Sequence, residues 1–301
     1  MTSRSTLRAY AALALAIAGI IWSAILVRWA EIPGTASAFY RVLIAGAVLV
    51  PWWLAARKGD GPFFSQEKGT TYSRRAALVA IAGGVFFALD LALWNTAVMR
   101  TQAAVASILG NNTPFFVGII SWLVFRRRPR ASFWIGLALS LAGCLAIMGE
   151  RLWAGSDTPG SVTGNLMALG ASVFFAAYLA TTERVRRTMD TLTFNTLAIA
   201  GSIASLFLIC LVLGLPLTGY SMRTWLALAG LGLVSQLMAY YALVYALGHL
   251  PATVTSVGLL AQVPGTAALA WLLLGEPLTA IQIAGGVIVL AGIYVVNRYS
   301  G

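Results

Sequence analysis

The sequence predicts an all-α polytopic membrane protein, with ten transmembrane helices arranged as two inverted five-helix repeats around a central cavity. Three observations carry this expectation. Hydrophobic types make up 59% of the 301 residues and charged types only 10%, whereas a soluble domain carries about a quarter charged residues. The apolar residues fall into ten runs of bilayer-crossing length. The chain also resembles itself at a shift of 149 residues. A soluble domain could not hide this much apolar surface from water, which excludes a soluble enzyme, a disordered chain and a nucleic-acid-binding domain.

A helix needs roughly 20 apolar residues to cross a bilayer. The ten runs are 10–27, 37–56, 76–98, 103–125, 131–148, 162–182, 192–215, 224–247, 252–274 and 278–296, together 213 residues. Only Arg41 and Asp90 are charged within them. None alternates polar and apolar over about ten residues, as the strands of a membrane barrel do. The first run follows Arg4 and Arg8 as a signal peptide would. Its 18 residues exceed a usual signal core and lack a small-x-small exit, so it is read as a retained span.

The net charge of +11 is sorted by side. Fifteen Lys and Arg lie at the termini and in the connections 2–3, 4–5 and 6–7, and four lie on the other side. The positive-inside rule places the richer side, with both termini, in the cytoplasm. The expected location is therefore the plasma membrane, the inner membrane of a bacterium. The charge then needs no nucleic-acid partner. Cys144 and Cys210 both sit in apolar runs, so neither a disulfide framework nor a zinc site is expected.

Between residues 97 and 148 the 149-residue shift gives ten identities, among them Trp122/Trp271, Gly136/Gly285 and the triplet Leu141-Ala142-Gly143 with Leu290-Ala291-Gly292. Five spans precede the polar connection 149–161 and five follow it. The halves, residues 1–149 and 150–301, therefore enter from opposite faces. Inverted repeats of this kind build secondary transporters with a site at the midplane.

Polar groups at membrane depth need a partner or a watery cavity. Span 3 sets Asp90, Trp94 and Ala97 on one helical face, with Asn95 beside it. Span 4 carries Asn111, Asn112 and Pro114, and the proline is expected to kink it near mid-depth. Its repeat mate, span 9, holds Gln262 and Pro264, and span 8 holds Gln236 and Tyr240. The candidate substrate-binding residues are Trp94, Asn95, Asn111, Asn112, Gln236, Tyr240 and Gln262, with Pro114 and Pro264 as hinges. Asp90 lies about 21 Å along span 3 at 1.5 Å per residue, at the depth of Arg41 near the start of span 2. The two are candidates for gating or coupling. The structural alternatives are amides that bond between helices, proline kinks that serve packing and a charge pair that serves stability. Gly136, Gly143, Gly285 and Gly292 on spans 5 and 10 suit close helix contact, and a weak homodimer through those spans is the alternative to a monomer.

These features resemble the drug/metabolite transporter superfamily, in its ten-helix EamA-like branch. The likeness rests on Ile21-Trp22-Ser23 in span 1 and Ala38-Phe39-Tyr40-Arg41 in span 2. It rests also on the helix pairs leading to Pro114 and Pro264, and on Gly275–Thr279 followed by Gly285-Gly286 and Leu290-Ala291-Gly292. It covers about residues 10–297. Span 1 lacks the family's motif glycine, and Arg128-Pro129 stands where Glu-Pro is usual. The resemblance implies a basket of helices 1–4 and 6–9 around a central cavity, with helices 5 and 10 outside. It also implies export of small metabolites without ATP or a cofactor, and among the family's substrates the aromatic amino acids suit this chain best.

The absence of a Walker A sequence agrees with transport that does not hydrolyse ATP. Amides, hydroxyls and aromatics suit amino acids, including aromatic or apolar ones, exported by alternating access. A proton-coupled drug or amine exporter working through Asp90 is the nearest alternative. An integral membrane lipid-modifying enzyme would need a convergent catalytic cluster that the sequence does not supply.

Overall fold

The computed structural model describes residues 3–57, 72–100, 103–153, 162–274 and 279–299. The described residues are helical, with no strand among them. In chain order the helices are α1 (Ser3–Ala30), α2 (Gly34–Arg57), α3 (Arg74–Arg100), α4 (Ala103–Gly110), α5 (Thr113–Leu123), α6 (Ala131–Trp153) and α7 (Val162–Val185). There follow α8 (Thr191–Val212), α9 (Met222–Gly230), a π-helical stretch (Leu231–Met238), α10 (Ala239–Leu247), α11 (Ala252–Gly258), a 3-10 turn (Leu259–Ala261), α12 (Gln262–Leu274) and α13 (Ala280–Tyr299). Most of the connection 149–161, most of the loop 57–75 with Lys58 and Lys68, and the family-like Gly275–Leu278 lie outside the described residues.

Nine described segments are long and apolar enough to cross a membrane. The tenth, span 4, departs from the expected single kinked helix. It is broken into α4 and α5, of 8 and 11 residues, by a turn at Asn111 and Asn112. Proline has no N–H to leave unpaired in a first turn, so Pro114 opens α5 rather than bending a continuous helix. Span 9 changes from α to 3-10 and back over 258–262, and Pro264 again falls in the turn that follows.

Side chains close the helix ends where the sequence supplies them. Asp190 accepts the Thr193 amide at 2.8 Å and Ser221 accepts that of Thr224 at 3.2 Å. At α13, Thr279 Oγ1 accepts the Gln282 amide at 3.2 Å while Gln282 Oε1 accepts that of Thr279 at 3.3 Å, a reciprocal capping box.

The chain forms two compact units, one of Met1–Ala92 with Thr181–Leu250 and one of Leu93–Ala180 with Pro251–Gly301. Each draws residues from both sequence repeats. In the first, Ala45, Leu49 and Ile199 form a core between α2 and α8, and Trp52 stacks on Tyr241 at 5.6 Å. A Cβ at Gly84 would lie 1.9 Å from the Ala198 carbonyl oxygen, so α3 and α8 touch backbone to backbone. Ser202 on α8 uses that proximity to donate to the Gly84 carbonyl at 2.8 Å. Tyr40, Tyr220 and Trp225 pack edge to face around the connection after α8, and the Tyr40 hydroxyl donates to the Leu217 carbonyl. The buried Arg186 donates to the carbonyl oxygens of Met189 and Val244, the latter in the last turn of α10.

In the second unit α6 and α13 pack antiparallel. Cβ atoms added at Gly136 and Gly143 would each lie 2.5 Å from the carbonyl oxygens of Gly292 and Gly285, respectively. Small residues at such positions let helix backbones meet within a membrane, where dispersion rather than water drives association.

Candidate functional site

Residues 35–42 of α2 are buried, and this stretch carries Arg41 into the first unit. A charge so placed persists only where partners replace its water. Arg41 Nε donates to Gln236 Oε1 at 3.0 Å and Nη1 donates to Ser23 Oγ at 3.4 Å. The guanidinium carbon lies 5.6 Å from the centre of the Tyr240 ring, and the Tyr240 hydroxyl shares in the hydrogen bonding. Phe87 backs that ring at 4.7 Å. One turn along α3 from Phe87, Asp90 is half-buried. Three predicted residues, Arg41, Gln236 and Tyr240, therefore meet in one cluster, and Asp90 stands one turn of α3 from the Phe87 that backs it.

Gln236 reaches Arg41 from the π-helical stretch. The wider turn engages two neighbouring helices with consecutive residues: Ser235 Oγ donates to the Gly19 carbonyl of α1 at 2.9 Å while Gln236 faces α2. Departures of this kind within helices cluster at functional positions.

The second polar group lies in the other unit, at the breaks in spans 4 and 9. Asn112 Nδ2 donates to the carbonyls of Ile108 and Leu109 at 2.9 and 3.3 Å, and Thr113 Oγ1 donates to that of Gly110 at 3.0 Å. They satisfy the carbonyls that the end of α4 leaves open. The Asn112 amide is thus spent on its own chain. Asn111 and Gln262 instead bridge the two breaks, Nε2 of Gln262 donating to Oδ1 of Asn111 at 3.4 Å. Trp94 lies against the α4 terminus, where a Cβ on Gly110 would come within 3.1 Å of its indole nitrogen. Asn95 is half-buried in α3.

Sequence reasoning did not single out Phe87, Thr113 or Ser235, and used Ser23 only as part of a motif. Phe87 stands three residues before Asp90 and Ser235 adjoins Gln236, so neighbours of the predicted residues were the available signal. Among the described residues no group of three or more His, Cys, Asp or Glu could hold a metal.

Membrane-length apolar helices, two spans broken at mid-length and a buried arginine held by polar side chains define a polytopic membrane protein. The chain matches the EamA-like transporter family over residues 8–149 and 162–298, and it belongs to that family. It is 30% identical over 237 residues to the pseudopaline exporter CntI of Pseudomonas aeruginosa, covering 77% of this chain and 79% of the relative. The uncharacterized transporter YwfM of Bacillus subtilis is 29% identical over 213 residues, 68% of each chain. A solved crystal structure superposes with a TM-score of 0.77 over 99% of this chain and 98% of its own, at 18% identity, which gives the fold alone. The protein is a multi-pass transporter of small molecules and not an enzyme.

Proposed function

We propose that this transporter exports amino acids or close derivatives, including aromatic or apolar ones, across a bacterial inner membrane by alternating access. The observation that carries the reading is the Arg41 cluster. It sets a cation, Arg41, near the carboxyl group of Asp90, with Gln236 as the partner of Arg41 Nε. A zwitterion offers a carboxylate to the guanidinium and an ammonium to the Asp90 carboxyl group. Tyr240 and Phe87 supply apolar surface beside them. The relative that exports pseudopaline agrees with outward movement of a small molecule.

The inverted repeat supports alternating access, since mate helices α6 and α13 meet antiparallel through mate glycines. The breaks at 111–112 and 258–262 supply hinge points. The charge bias supports a cytoplasmic position for both termini.

Counterflow in proteoliposomes tests the reading. Vesicles loaded with unlabelled phenylalanine should accumulate labelled phenylalanine saturably, and Arg41→Lys should reduce that uptake. Equal inertness toward Phe, Trp, Met and Thr would remove the amino-acid assignment. A second reading, a proton-coupled amine exporter, is favoured by the half-buried Asp90. It requires that Asp90→Asn abolish gradient-driven movement while leaving counterflow intact.

A further inference from the structure

The turn after α5 is the most concentrated positive surface among the described residues. Arg126, Arg127, Arg128 and Arg130 fall within five positions and are all exposed. No acidic residue occurs between Asp90 and Glu150. The chain reverses at Arg126, whose φ of 54° is left-handed, and the Arg127 amide closes the turn on the Ser121 carbonyl at 2.9 Å.

What precedes the arginines is an apolar rim. Trp122, Leu123 and Val124 are 46%, 67% and 67% exposed, at the end of a helix that lies in a membrane. The Arg128 guanidinium rests 5.6 Å from the centre of the Trp122 ring. This contact holds the Arg128 cation beside the apolar rim. Tryptophan at that level is the usual marker of the headgroup zone.

The repeat mates Trp271 and Leu272 are also exposed, at 53% and 70%, but in an inverted repeat they end their span at the opposite membrane face, where basic residues are few.

We propose that residues 126–130 bind the phosphodiester headgroups of anionic lipids, with the acyl chain lying against Trp122 and Leu123. Guanidinium forks match phosphate oxygens in pairs. An acidic protein partner would satisfy the charges but would leave the adjoining apolar rim unused.

The test uses the full chain, purified and returned to vesicles of phosphatidylcholine or of phosphatidylcholine with phosphatidylglycerol. The thermal midpoint should rise with phosphatidylglycerol, and the rise should shrink as NaCl is added. Arg126→Gln with Arg128→Gln and Arg130→Gln should lose that rise and keep the midpoint in phosphatidylcholine. Trp271→Ala should keep the rise. Mass spectrometry of retained lipid gives a second readout that a poorly folding variant cannot obscure. The wild-type chain should enrich phosphatidylglycerol, and each arginine removed should lower the enrichment roughly five-fold. An equal rise in the triple variant and wild type, or no enrichment by the wild-type chain, overturns the proposal.

Discussion

Ser140 on α6 donates its hydroxyl to the carbonyl oxygen of Val289 on α13 at 3.3 Å, and the two residues stand 149 apart. That is the repeat offset, so the bond joins a residue to its own mate. Around it Gly136 meets Gly292 and Gly143 meets Gly285. Exchanging each glycine for its mate turns one contact into the other. Two-fold contacts between identical subunits have this form, here written within one chain.

This pairing predicts where a methyl group is not tolerated. A Cβ at Gly292 would come within 2.5 Å of the Gly136 carbonyl oxygen and 2.7 Å of the Ser140 amide nitrogen, and neither backbone atom can move without parting the helices. Gly292→Ala should cost about 1–3 kcal/mol by overpacking, read as a lower midpoint in detergent. Gly149→Ala meets nothing within 4 Å and should leave the midpoint unchanged or higher. Equal effects from both would mean that α6 and α13 do not pack this way.

A second prediction concerns the broken spans. Gln262→Leu removes the donor to Asn111 while keeping similar bulk, and should slow transport more than it lowers the midpoint. Pro114→Ala should have a small effect on both, because Asn112 and Thr113 already close the end of α4. Should Pro114→Ala stop counterflow in a stable protein, the proline itself is the hinge. The two variants, assayed together, separate a hinge set by side-chain amides from one set by the ring.

The division between what could be read and what could not follows the range of the interactions. Apolar runs and their ends are legible because a bilayer imposes its thickness on every span. The small-residue seam of α6 and α13 is legible because the repeat prints it twice. The site residues Arg41 and Asp90 stand out because a charge in hydrocarbon is costly wherever it lies. Their partners are less accessible. That Gln236 bonds Arg41, and not another amide, depends on a π-helical turn that also sets Ser235 against α1. Asn112 and Asn111 are adjacent and chemically identical. Only the path of the backbone assigns one to the end of α4 and the other to Gln262.

The connection between α8 and α9 yields a prediction in pH. Burial raises the Tyr220 hydroxyl above its ordinary 10.0, and the neighbouring Tyr40 and Cys210 add to the shift when ionised. The folded chain thus holds this proton more tightly than the unfolded one. Its contribution to stability is present below pH 10 and is lost as the pH rises through the folded value. Wild type should therefore lose more of its midpoint between pH 9 and pH 11, roughly the window set by the ordinary tyrosine value, than Tyr220→Phe does. Parallel curves would mean that the Tyr220 ring is not desolvated by Tyr40 and Trp225.

The last prediction separates binding from folding at the Arg41 cluster. Arg41→Ala leaves Gln236 without its donor. It also strips Ser23 of its donor, and each buried polar group left unsatisfied costs about 1–3 kcal/mol, so this variant should be unstable and say little about transport. Arg41→Lys keeps the charge and loses the fork. It should hold its midpoint to within about 1–3 kcal/mol, the cost of one unsatisfied buried group, while counterflow falls by roughly ten- to a hundredfold through a weakened carboxylate contact. Asp90→Asn keeps shape and removes the carboxyl group. If the ammonium of the solute is read there, amino acids lose affinity in this variant, whereas their deaminated analogues bind as well as they do to wild type. A uniform loss for both classes would assign Asp90 to the stability of Arg41 alone, and the zwitterion reading would then rest on no group that recognises the ammonium.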